Sequence, residues 1–254
     1  MSLELTTVIT ASFLAGMIDA IVGGGGLILL PALFAHFATA LPATLLGTNK
    51  FAAMWGILFS ALRFARRVKL RWLVLLPAAA FAMVGSFTGA WSVTLLDPAY
   101  LRRALPVILL VVFVYTLLNK QLGQSHEPRL FGRQEITAAC LIGAAVGWYD
   151  GFFGPGTGSV FIFLFVRVLG FDFLHASASA KFLNLATNIA ALVLFSAKGY
   201  IWWQVGLFLA TANVAGSFAG TALALRHGAG FVRWIFIAVV GALILKSGYD
   251  ALQL

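Results

Sequence analysis

The chain has 254 residues, of which 61% are hydrophobic and 10% charged, with a formal net charge of +9 and a mean hydropathy of +0.99. A soluble domain averages about 45–50% apolar and about 25% charged residues, so this chain has too little polar surface to coat a water-soluble globule. The basic residues fall mostly in short connections between apolar runs and carry no interleaved aromatic platform, which argues against nucleic acid and for anionic lipid headgroups.

The apolar runs are continuous rather than alternating, which selects helices over a barrel as the way to satisfy every backbone group in hydrocarbon. In chain order they cover about 5–38, 43–63, 72–96 and 99–118, then about 135–170, 175–197, 201–225 and 230–250. The start, Met1-Ser2-Leu3-Glu4, has no basic n-region, so the first run reads as a membrane anchor rather than a removable signal. The first run is interrupted by Gly23-Gly24-Gly25-Gly26, and the fifth by Gly154-Pro155-Gly156-Thr157-Gly158. Glycine disfavours helix by about 1 kcal/mol per residue and proline by about 3, so both tracts predict a helix break inside an apolar stretch. Five basic residues from Arg63 to Arg71, with no acid, predict that the connection after the second run is cytoplasmic.

One offset relates the two halves. Gly16, Asp19, Gly23 and Gly25 are matched by Gly147, Asp150, Gly154 and Gly156, each 131 positions later. The same offset pairs Lys50-Phe51 with Lys181-Phe182, Trp72 with Trp203, Gly85-Ser86-Phe87 with Gly216-Ser217-Phe218, Gly89 with Gly220 and Arg102 with Arg233. Generic hydrophobicity does not align Asp, Lys, Trp and Gly at one spacing, so the chain reads as a duplication. The predicted organisation is a first transmembrane repeat over 1–120, a polar linker over 121–133 and a second repeat over 134–254. The fold class is an all-α integral membrane protein of two four-segment helical repeats, about eight principal transmembrane helices, the first of each repeat broken or re-entrant. If each broken segment crosses once, the halves are parallel. If the break is a full turn and both arms cross, each half has five spans and the halves are inverted. Eight principal spans are preferred, because 27–37 and 159–169 are short for full crossings, and a re-entrant arm explains them equally well.

Paired breaks at matching positions of two repeats point to a transporter binding site. Each restarting half-helix offers N–H groups and a positive dipole end, and glycine lets a ligand approach the backbone. Asp19 and Asp150 lie four residues before the breaks, and a carboxylate at mid-membrane must face the protein interior or water. Lys50 and Lys181 are the other matched charges. The Asp and Lys residues can form internal ion pairs, the Lys can bind an anion, and the Asp can titrate and couple transport to protons. Asn49, Asn184 and Asn188, with Thr48, Ser177, Ser179 and Thr187, are polar groups able to coordinate an oxyanion or to join helices. Trp72, Trp202 and Trp203 read as interfacial residues. The single cysteine, Cys140, rules out an intrachain disulfide, and the four histidines show no metal-site spacing, so no cofactor or metal is expected. No nucleophile elbow or phosphate loop with its Lys-Ser/Thr is present, so the chain does not read as an enzyme.

The segments Gly16-Met-Ile-Asp-Ala-Ile-Val-Gly-Gly-Gly-Gly-Leu-Ile-Leu-Leu-Pro31 and Leu46-Gly-Thr-Asn-Lys-Phe51 resemble the sulfite exporter TauE/SafE family. So do Gly147-Trp-Tyr-Asp-Gly-Phe-Phe-Gly-Pro-Gly-Thr-Gly158, Ser179-Ala-Lys-Phe-Leu-Asn184 and Thr187-Asn188. The resemblance spans about 10–250 and implies a bacterial-type inner-membrane carrier with a duplicated four-helix unit. It also implies sulfite, thiosulfate, sulfonates or related organic anions as the substrate class. The Asp-bearing motif resembles a subgroup whose substrates are largely unassigned.

The expected function is ion-gradient-coupled secondary transport of a small, sulfur-containing anion. The proposed ligands are the backbone at Gly23, Gly24, Gly25, Gly26, Gly154, Gly156, Thr157 and Gly158, with Asn49, Lys50, Lys181, Asn184 and Asn188 around it. Asp19 and Asp150 orient the lysines or carry protons. A passive anion channel and a non-transporting membrane scaffold are the alternatives. The lipid bilayer, a coupling proton or cation, and a second copy of the chain are the partners considered.

Overall fold

The structure is a computed structural model that describes residues 3–37, 39–92, 127–154 and 156–252. The described residues form eight helices. These are α1 (Leu3–Val22), α2 (Gly26–His36), α3 (Pro42–Ala65), α4 (Trp72–Ser92), α5 (Arg133–Phe152), α6 (Thr157–Leu164), α7 (Phe173–Ala197) and α8 (Trp203–Leu252). A π-helical turn, Phe165–Leu169, prolongs α6. Five stretches, Leu5–Val22, Ala43–Ala65, Trp72–Ser92, Phe173–Ala197 and Trp203–Ala238, are long and apolar enough to cross a bilayer. The apolar run expected at 99–118 lies outside the described residues.

The helix ends follow local chemistry. Helix α1 stops at Val22 because Gly23 (φ 75°) and Gly24 (φ 98°) take left-handed conformations that other residues adopt only at a cost. Helix α5 stops at Phe152 ahead of Gly154 (φ 86°) and Gly156 (φ 83°). Asp172 caps α7, its carboxylate accepting the His175 N–H at 2.7 Å. Gly228 (φ 72°) divides α8, near the boundary expected between the last two apolar runs.

Contacts between helices fix their directions. The Ser12 hydroxyl donates to the Leu209 carbonyl at 2.7 Å, and the Ser217 hydroxyl to the Gly16 carbonyl at 3.2 Å, so α1 and α8 run parallel. Helix α3 runs the same way. Its Phe51 ring meets Trp203 at 5.1 Å, and its Phe59 ring meets Phe218 at 5.7 Å. Helices α4 and α5 are parallel to each other, with Gly85 on Ala144 and Gly89 on Trp148. Helix α7 joins them, its Phe182 beside Trp72 at 4.9 Å and its Thr187 carbonyl bound by Ser86 at 2.8 Å. The short connections between α3 and α4 and between α7 and α8 then set one trio, α1, α3 and α8, against the other, α4, α5 and α7.

Within the parallel pairs the backbones approach too closely for side chains. A Cβ on Gly89 would overlap the Trp148 carbonyl, and one on Gly216 would overlap the Phe13 carbonyl. These glycines therefore serve contacts within the chain, the mode of packing that small residues allow where lipid removes the hydrophobic drive.

Candidate functional site

The two broken segments are hairpins that enter from opposite ends of the bundle. Helix α2 folds back along α1, with Leu29 and Leu33 against Val8 and Ala15. It ends with Phe37 packed on Trp202 at 5.3 Å, at the end where α3 and α8 begin. The α6 arm folds back along α5 toward the other end, where the Arg129 N–H donates to the Leu169 carbonyl at 2.9 Å. There Arg71 also meets Glu135 at 2.8 Å, so this second hairpin starts beside the basic connection. The tips meet inside the protein. The Ser159 hydroxyl donates to the carbonyls of Val22 at 3.1 Å and Gly23 at 3.3 Å. A Cβ on Gly23 would overlap the Gly158 backbone.

Beside this junction lies a small, partly open space of about 30 Å3, room for about two water molecules. Its wall includes Asp19, Gly24, Gly26, Asn49, Lys50, Asp150, Gly154, Gly156, Thr157, Gly158, Asn184 and Asn188. Of the residues singled out from sequence, Gly23, Gly25, Lys181, Thr48, Ser177, Ser179 and Thr187 are not on this wall. The first turns of α2 and α6 both border the space, so two helix-dipole ends of about half a positive charge each converge on it.

The matched charges pair crosswise, each lysine with the aspartate of the other half. Lys50 Nζ donates to Asp150 Oδ2 at 2.9 Å, and Lys181 Nζ donates to Asp19 Oδ2 at 2.9 Å. Lys181 also donates to the Asp19 backbone carbonyl. Asp19 Oδ1 in turn accepts the Gly25 N–H at 3.3 Å. All four residues are at least nine-tenths buried, and a buried charge persists only when paired.

Three asparagines complete the polar wall. The Asn188 amide donates to the Asn184 backbone carbonyl at 2.7 Å and side-chain oxygen at 3.0 Å. That arrangement leaves the Asn184 NH2 uncommitted among the described residues. Asn49, 7% exposed, has a side-chain oxygen with no hydrogen-bond partner. Buried polar atoms are nearly always bonded, so an orphan on a cavity wall marks a place for a ligand or water. The wall also carries apolar Leu46, Ala53, Ile57 and Phe153.

Sequence reasoning did not single out Ser159, which ties the two tips together. Its counterpart at the 131-residue offset is Ile28, so a search for matched polar pairs passes over it. Its position two residues after a Gly-Thr pair in the break was the available signal.

The chain matches the sequence profile of the family described as "Sulfite exporter TauE/SafE" over residues 8–247. It is 36% identical over 241 residues to "Probable membrane transporter protein YfcA" of Escherichia coli (strain K12), covering 94% of this chain and 88% of that protein. It is 35% identical over 250 residues to "Probable membrane transporter protein" of Haemophilus influenzae, covering 97% and 95%. It is 34% identical over 242 residues to "Probable membrane transporter protein ORF9" of a Sinorhizobium species, covering 95% and 91%. No solved structure matches it. Apolar spanning helices, paired intramembrane breaks and near-full-length likeness converge on one assignment: the chain belongs to the sulfite exporter TauE/SafE family of membrane transporters.

Proposed function

We propose that this multi-pass membrane protein is a secondary transporter of a small sulfur-containing anion, of the sulfite, thiosulfate or sulfoacetate kind, coupled to an ion gradient. The observation that carries the reading is the meeting of two broken hairpins at a partly open space walled by Lys50 and two helix starts. Helix starts attract negative charge, Lys50 supplies a full positive charge, and the Asn184 NH2 supplies a further donor. The apolar wall suits the carbon end of an organic anion.

The same reading treats the chain as two inverted copies of one unit. Helices α2, α3 and α4 begin 131 positions before α6, α7 and α8, and each runs opposite to its counterpart. Inversion also brings Arg63 to Arg71, Arg129, Arg167 and Arg226 to one end, as expected for the cytoplasmic side of a bacterial inner membrane. In this scheme Lys50 binds the anion and Lys181 holds the α1 tip.

Purified protein would be heated with sulfite, thiosulfate, sulfoacetate, sulfate and acetate in turn. A ligand of the folded state raises apparent stability by mass action, about 2.7 kcal/mol at a hundred times its Kd. A rise selective for a sulfur oxyanion, lost in Lys50→Gln, is the expected result. No rise with any anion for folded protein overturns the anion assignment. A rise unchanged in Lys50→Gln overturns the site.

A further inference from the structure

The crosswise Lys–Asp pairs descend from one motif but sit in different surroundings, and the difference gives them different tasks. Asp19 is fixed from three directions. Lys181 binds its carboxylate and its backbone carbonyl, and the Gly25 N–H binds the other carboxylate oxygen. Lys181 is 1% exposed and is not on the cavity wall, although Asp19 is. Asp150 and Lys50 are both on that wall. Among the described residues, the bond from Lys50 is the only hydrogen bond the Asp150 carboxylate makes. Next to them stands the unpartnered Asn49 oxygen.

The two lysines and two aspartates cancel. An anion entering this space therefore adds an unbalanced negative charge where water is scarce, and only the helix-dipole ends oppose it. It competes with Asp150 for Lys50. Two anions sharing one lysine repel, and such repulsion raises the proton affinity of the stronger base. Between a sulfonate or thiosulfate and a carboxylate, the stronger base is the carboxylate. Among the described residues, the other titratable groups that line the cavity with Asp150 or adjoin it are Asp19 from α1, held by Lys181 from α7, and Tyr149, its neighbour on α5.

We propose, building on the anion reading above, that Asp150 is the proton site of this transporter: it takes one proton from water as the anion takes Lys50, and Asp19–Lys181 stays closed throughout. One O–H bond forms at the Asp150 carboxylate when the anion binds, and it breaks when the anion leaves and Lys50 returns. The empty site crosses the membrane as a neutral ion pair. The loaded site crosses with a singly charged anion beside the Lys50 ammonium and a neutral Asp150 acid. Transport of such an anion is then electroneutral and moves a proton in the same direction.

The test is proton uptake by the wild-type protein in weakly buffered detergent, on addition of methanesulfonate, ethanesulfonate or thiosulfate, none of which carries a group that exchanges protons near neutral pH. Uptake of about one proton per anion bound is expected, with affinity falling about tenfold per pH unit on the alkaline side. Asp150→Asn should bind without proton uptake and with a flat pH dependence, and Asp150→Glu should restore the uptake. Binding to the wild type without protons, or full uptake by Asp150→Asn, overturns the proton site and leaves the anion site standing. If Asp150→Asn does not fold, the wild-type stoichiometry decides alone. Failure of all three anions to bind overturns the anion reading and this proposal with it.

Discussion

Lys181–Asp19 and Lys50–Asp150 share their distance, 2.9 Å in each case, yet only the second puts its lysine on the cavity wall. The first is buttressed by extra bonds to the α1 backbone. The second has a single bond and an orphaned neighbour. Identical residues 131 positions apart thus need not sit in identical surroundings. What separates them here is the number of further partners and the place of the lysine on or off the cavity wall.

The sharpest way to break this comparison is to remove each lysine in turn. Lys181→Gln should cost about 3–5 kcal/mol in apparent stability, because it leaves the buried Asp19 carboxylate without its ion-pair partner. Lys50→Gln should cost less, since it removes one hydrogen bond where Lys181→Gln removes two. Unfolding of both variants in detergent measures this, and equal losses would erase the distinction. A smaller effect is expected at the hairpin junction. Gly23→Ala should cost about 1–3 kcal/mol from left-handed strain alone, with overlap against Gly158 added. It should also depress transport, and wild-type flux from this variant would argue that the tips do not need to meet. Ser159→Ala removes the hydroxyl bonds that hold the α1 tip and should cost about 1 kcal/mol with little change in anion affinity. Asn184→Ala should leave stability nearly unchanged but weaken anion binding about tenfold, by loss of one cavity donor, about 1.4 kcal/mol. A titration in which it binds as well as wild type would remove Asn184 from the site.

The sequence makes the helix ends readable because the breakers are strong and local. The breaks at Gly23 and Gly154, the start of α4 at Trp72 and the division of α8 near Gly228 all follow from composition. The matched Asp and Lys residues were visible as functional candidates for the same reason, being charges in apolar runs. Their pairing was not visible. Asp19 and Lys181 are 162 positions apart, and an offset that matches each half to itself does not say which half supplies the partner. Likewise the expectation that the broken segments cross once or turn back stayed open, because a stretch of about 11 residues is too short to decide it by length. Packing decides it: Phe37 lies beside Trp202, and Arg129 beside Leu169.

The central claim is that a small anion is carried at the junction of the two hairpins and that Lys50 holds it. Counterflow of the labelled anion that most stabilises the protein, in proteoliposomes, tests it most directly. The account predicts saturable exchange by the wild type, kept in Lys198→Gln, whose lysine follows the end of α7 and is absent from the cavity wall. It predicts a fall of about a hundredfold in folded Lys50→Gln, the size of losing a charge-assisted contact. Exchange by Lys50→Gln at the wild-type rate and affinity would contradict it.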